Sequence, residues 1–142
     1  MLVDANVLLF AVDDESPFHA RAAAWLESVL NGPARVAFPW PALVAFLRIS
    51  THGRALDRPL KPAEAWRYVE EWLDASPAWV PLPTERHAEV LRELVTSYDL
   101  RGNLVPDADL VALAIEHGLP ICSADTDFAR FREVEWVNPL MV

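Results

Sequence analysis

Val105-Pro-Asp107-Ala-Asp109-Leu-Val-Ala-Leu-Ala-Ile-Glu-His117-Gly118-Leu-Pro-Ile121-Cys-Ser123-Ala-Asp125 holds, in order, a helix, its stop, a short strand and an acid just past the strand. The apolar spacing predicts a helix over 106–117, and Gly118 stops it. Ile121-Cys122-Ser123 is an apolar run of strand length. Upstream, Met1-Leu-Val3 is a first strand cut off by Asp4, and Val36-Ala-Phe38 a second. Ser16-Pro17 offers a capping hydroxyl followed by proline at the first helical position, and Phe18, Ala22, Trp25, Leu26, Val29 and Leu30 then repeat at helical spacing up to Asn31-Gly32. Further helices are expected from about Pro41 to Thr51, from Pro62 with Trp66, Val69 and Leu73 on one face, and after a Thr84 cap with Leu91, Leu94, Val95 and Tyr98 buried. Trp79-Val-Pro-Leu82 reads as a third strand that Pro81 confines to an edge, and Trp136-Val137 as the last. Short strands alternating with helices predict βαβ units and a parallel sheet.

The chain has 142 residues, 53% of them apolar and 23% charged, which suits one globular domain over residues 1–142. No apolar run reaches the length of a membrane span, and no basic leader precedes the first strand, so a cytoplasmic protein is expected. Cys122 is the sole cysteine, and its apolar neighbours favour a buried thiol over a nucleophile. A formal charge of −9 argues against binding a polyanion. Residues 48–67 run the other way: Arg48, Arg54, Arg58, Lys61 and Arg67 face only Asp57 and Glu64, a local +3. A solvated surface is the competing reading of that segment.

Three acids share one placement. Asp4 ends the first strand, Asp125 follows the 121–123 strand, and Asp107 lies in the first turn of its helix. Ligand crevices of open parallel sheets form at strand C-terminal ends, and oxygen donors of this type suit Mg²⁺ or Mn²⁺. Each acid also has an ordinary role: Asp4 as a helix cap, Asp107 at a helix dipole, Asp125 and Asp127 in a turn. Taken together, they favour a metal site. Asn6 is placed to orient Asp4, with capping as its alternative. Asp109, two residues from Asp107, points to another side of the helix. His19, His52, His87 and His117 show no ligand spacing and read as surface or interface residues.

With these residues in place, the sequence resembles a family. Asp4-Ala-Asn6-Val-Leu-Leu, Val105-Pro-Asp107-Ala-Asp109-Leu and Cys122-Ser-Ala-Asp125-Thr-Asp127-Phe128 are similar to PIN-domain motifs, most of all those of VapC-type toxins of toxin–antitoxin systems. The likeness extends to Ala114-Ile-Glu-His-Gly118 and Arg130-Phe131. It implies a three-layer α/β/α sandwich around a short, mainly parallel twisted sheet, and endoribonuclease activity that depends on Mg²⁺ or Mn²⁺. It further implies a homodimer and a VapB-type antitoxin that blocks the site. Asp4, Asp107 and Asp125 match the family's metal-binding acids, and Asp127 a secondary one. The family usually carries another acid on the helix after the second strand. Here Leu43 or Ala45 stands in its place, and no acid occurs from Ser28 to Leu56. The expected site is therefore a triad unless Asp127 or Asp109 completes it. A PIN domain that binds RNA or a protein without cleavage is the alternative. Six tryptophans and the apolar segments Pro41–Leu47 and Ala63–Leu73 independently suggest a homodimer with a patch left for a partner helix.

Overall fold

Five two-residue strands carry the whole sheet. In the computed structural model, which describes residues 1–141, β1 is Leu2–Val3, β2 Val36–Ala37, β3 Ala78–Trp79, β4 Ile121–Cys122 and β5 Trp136–Val137. All neighbours are parallel, in the order β3-β2-β1-β4-β5. Parallel neighbours need crossovers, and helices supply most of them: α1 (Ala5–Val12) and α2 (His19–Leu30) after β1, α3 (Trp40–Ser50) and α4 (Pro62–Asp74) after β2, α5 (His87–Ser97) and α6 (Leu104–His117) after β3. A 3₁₀ turn, Thr126–Arg130, lies between β4 and β5.

Successive strand residues face opposite sides, which splits the core into two layers. Val3 and Val36 pack with Val7, Leu8, Leu26, Leu43, Phe46, Val69 and Trp72 from α1 to α4. Leu2, Ala37 and Ile121 pack with Val90, Leu94, Val111, Leu113 and Phe128 on the side of α5 and α6. The result is the expected α/β/α sandwich.

Several elements differ from expectation at their ends. Ser16 Oγ accepts from the Phe18 amide at 3.1 Å and the Ser16 carbonyl from His19, closing a tight turn that contains Pro17. The hydroxyl thereby bonds locally two residues on, and α2 starts at His19. β3 is an edge strand, as expected, but it ends at Trp79, so Pro81 lies past its C-terminal end. On α5 the buried residues are Val90 and Leu94, while Leu91 and Val95 are partly exposed. Gly118 ends α6 at φ 66°, the left-handed cap that glycine adopts without strain. No helix among the described residues is long and apolar enough to cross a membrane.

Candidate active site

The pairing of β1 with β4 builds the floor of the site. Val3 sits opposite Cys122, so the residues that follow, Asp4 and Ser123, leave adjacent strands side by side. Asp4 caps α1: one carboxylate oxygen accepts from the Ala5 amide at 2.7 Å, the other from Ser123 Oγ at 2.8 Å. Ser123 is fully buried. Its hydroxyl also accepts from Asn6 Nδ2 and from the Asp125 amide, each at 3.0 Å. A hydroxyl has one proton and two lone pairs, and here all three are used. Asn6 Oδ1 in turn accepts from the Ala124 amide at 3.1 Å. Serine and asparagine thus fix the path of the chain from β4 into the acidic loop.

Asp125 caps the 3₁₀ turn by accepting from the Asp127 amide at 2.8 Å. Asp107 enters from the first turn of α6. Carboxylate oxygens of Asp107, Asp125 and Asp127 all lie within 4.8 Å of one another. The expected grouping was Asp4, Asp107 and Asp125. Asp127 makes up the close trio instead, and Asp4 stands beside it with both oxygens hydrogen-bonded. The ordinary roles of Asp4 and Asp125 as caps are real, and they coexist with the cluster, because a cap fixes its carboxylate at the end of a strand.

The cluster is electrostatically strained. Burial, then the charges of Asp125, Asp4 and Asp127, push the Asp107 carboxyl up to about 6, with Arg130 pulling the other way. Burial likewise raises Asp4, against its hydrogen bonds from Ser123 and Ala5, with Asp125 adding repulsion. Such repulsion is relieved by a proton or a cation. An all-carboxylate donor set with free edges fits Mg²⁺ or Mn²⁺. No histidine belongs to the group, and the thiol of Cys122, pushed up to about 11 by burial, is inert.

Asp109 turns away to a second network that the sequence reading missed. His87 on α5 bonds Asp109 through Nε2 at 2.7 Å and Glu116 through Nδ1 at 2.6 Å. Thr84 adds its amide at 2.8 Å and its hydroxyl at 2.6 Å to the other Glu116 oxygen. Burial lowers the His87 pKa, but the two carboxylates outweigh it and the net shift is upward. Burial would raise Glu116, and the Thr84 and His87 bonds bring it below its ordinary value. The signal was present: Asp109 and Glu116 are seven residues apart, two turns along one face of α6. His87 is a clamp between α5 and α6, and its partner Asp109 is not one of the acids in the close trio.

Leu43 on α3 is fully buried in the α1–α4 core, while Ala45 is partly exposed. Arg48, Arg54, Arg58, Lys61 and Arg67 are all exposed around the α3–α4 connection. Arg58 lies 3.9 Å from Glu15, too long and too exposed to neutralise either.

The PIN domain family pattern matches residues 1–134. The chain belongs to the PIN-domain family. This PIN domain is 44% identical over 138 residues to Ribonuclease VapC37 of Mycobacterium tuberculosis, covering 97% of this chain and 96% of the relative. It is 39% identical over 140 residues to Ribonuclease VapC33 of the same organism, covering 99% and 98%. In fold it is similar to the VapBC-1 structure from nontypeable Haemophilus influenzae, with a TM-score of 0.72, 12% identity, and coverage of 99% and 98%. It also resembles the M. tuberculosis toxin VapC20, described as cleaving the sarcin–ricin loop, with a TM-score of 0.66, 18% identity, and coverage of 94% and 98%.

Proposed function

We propose that this PIN domain is an endoribonuclease of the VapC type, acting as one domain and as the toxin of a toxin–antitoxin pair in the cytoplasm. The observation that carries the activity is the mutually repelling trio Asp107, Asp125 and Asp127, with Asp4 beside it, at the C-terminal ends of β1 and β4. Full-length identity to VapC ribonucleases supports the same reading. Asp107, Asp125 and Asp127 would hold Mg²⁺ or Mn²⁺, with Asp4 adding charge behind them. A divalent cation there supplies activation of water and stabilisation of charge on a phosphoryl group.

The chain's own residues prepare that chemistry. Ser123 donates to one Asp4 oxygen and receives the Asp125 amide, so both acids are aimed before substrate arrives. Such preorganisation spares the site a reorganisation cost during reaction. Asp107 keeps its proton to about pH 6 when no cation is present, and loses it as positive charge enters the cluster. Asp127 supplies a fourth acid from the 3₁₀ turn, although α3 carries none.

The partners follow from the same membership. RNA is the substrate, and a VapB-type antitoxin the inhibitor, in line with the VapBC complexes that share the fold. Trp40, Val44 and Trp66 are exposed on α3 and α4, and support a homodimer with apolar surface left over. Sedimentation at micromolar concentration should give twice the chain mass, and monomer alone would contradict the dimer. The activity is tested with the purified chain on a structured RNA. Cleavage should stop with EDTA and return with Mn²⁺ in excess. Cleavage that persists in chelator would overturn the metal-dependent reading, and Mn²⁺ binding without any cleavage would favour the binding-only alternative.

A further inference from the structure

Arg130 closes the 3₁₀ turn at the rim of the acidic cluster, and the site described above gives it no task. Its backbone is fixed: Phe128 is fully buried, Phe131 nearly so, and the Phe131 ring meets Tyr98 at 5.2 Å between centroids. Its head is not fixed. The side chain keeps 39% of its surface exposed. Nε donates to the Asp127 carbonyl at 3.0 Å, and Nη2 to an Asp127 carboxylate oxygen at 3.3 Å. A guanidinium has five N–H donors. Among the described residues only these two are engaged, which leaves three without a protein acceptor on a partly exposed head.

The partner of this arginine is itself a member of the acid trio. Arg130 is also the cation that acts on Asp107, opposing Asp125, Asp4 and Asp127. Four ionised carboxylates against one guanidinium leave about three negative charges where an RNA phosphate must approach. A divalent cation held by the trio would compete with Arg130 for Asp127 and would supply the neutralising charge in its place. The exposed Arg130–Asp127 pair contributes little to stability, so the guanidinium is readily given up. A freed fork at this rim matches a phosphate in charge and in planar, two-pronged geometry.

We propose that Arg130 is a substrate-binding residue of this site, held by Asp127 until a cation occupies the trio and then gripping an RNA phosphate next to the cleaved bond. The idea rests on the nuclease reading given above, and it predicts two effects of opposite sign. Arg130→Gln removes a cation beside the metal ligands and should tighten Mn²⁺ binding in the absence of RNA by several-fold, read by titration calorimetry. The same variant should raise KM for a short fluorogenic RNA by about tenfold, as expected for a lost charge-assisted contact, with a smaller change in kcat. Arg130→Lys keeps the charge and loses the fork, so its Mn²⁺ affinity should stay close to wild type while its KM lies between the two. A role confined to bracing the 3₁₀ turn would weaken Mn²⁺ binding and cleavage together, because Asp125 and Asp127 would loosen. That result overturns the proposal, as does an Arg130→Gln variant that matches wild type in both measurements. If the wild-type chain neither binds Mn²⁺ nor cleaves RNA, the nuclease reading falls first. If it does both and the variants show no opposed effects, only the role of Arg130 falls.

Discussion

Replacing Asp107 by Asn should make the metal-free protein more stable while abolishing its cleavage of RNA. The carboxyl is pushed from an ordinary 3.8 up to about 6 by burial and by Asp125, Asp4 and Asp127. Two units at about 1.4 kcal/mol each make the ionised state about 3 kcal/mol less favourable, through lost hydration first and repulsion by the neighbouring acids second. Asp107 is only partly buried, and screening reduces this to about 1–2 kcal/mol. A folded-state pKa raised above the unfolded value means that the contribution to stability is complete below about pH 4 and is lost as pH rises through about 6. Asparagine is neutral throughout and escapes that loss. In EDTA, the thermal midpoint of Asp107→Asn should exceed wild type by roughly 3–6 °C at pH 7.5. The gain should be less than half as large at pH 4.5, where most wild-type protein still holds the proton. Calorimetric scans of both proteins across this range give the comparison directly. A variant no more stable than wild type at pH 7.5, or a gain that ignores pH, would refute the claim that burial and the neighbouring acids disfavour the ionised Asp107 in the fold.

Ser123→Ala leaves Asp4, the Asn6 amide and the Asp125 amide without their shared partner, and should cost about 2 kcal/mol in denaturant unfolding and at least tenfold in cleavage rate. His87→Gln should lose about 2 kcal/mol at pH 6, since it breaks charged hydrogen bonds to Asp109 and Glu116. Because the His87 pKa is raised on folding, its contribution is complete below its unfolded value and fades as pH rises through the folded one, so wild type and variant should converge at alkaline pH in the same assay. Leu43→Glu buries an unpaired carboxylate in the α1–α4 core and should destabilise by about 3 kcal/mol or more. The partly exposed Ala45→Glu should fold, and, with Asp127 as the proposed fourth acid, its Mn²⁺ requirement for cleavage should stay that of wild type.

The sequence showed the two strands that carry the site clearly because each apolar run is followed closely by an acid: Asp4 after Val3, and Asp125 after the 121–123 run. It blurred helix starts, since a serine followed by proline specifies a cap and a local turn equally well, and at Ser16 the turn wins. Asp4, Asp107 and Asp125 were legible from their common position at strand and helix ends. Asp127 ranked lower because a turn acid gives no sign of its direction until the 3₁₀ turn folds back on α6. Ser123 was passed over as part of a strand, although the register that sets Val3 opposite Cys122 makes it the neighbour of Asp4. His87 could not be read at all without the packing of α5 on α6, because its two partners lie 22 and 29 residues away.

Metal-dependent cleavage by this chain requires these carboxylates to form a single divalent-cation site. Titration calorimetry with Mn²⁺ at pH 7.5, on wild type and on Asp125→Asn, tests it most directly. The wild type should bind with saturation and release protons, more of them as the pH is lowered toward 6. The Asp125→Asn protein, folded to the same extent, should bind at least tenfold more weakly. Equal affinity in the two proteins, or no saturable Mn²⁺ binding by the wild type, would contradict the claim.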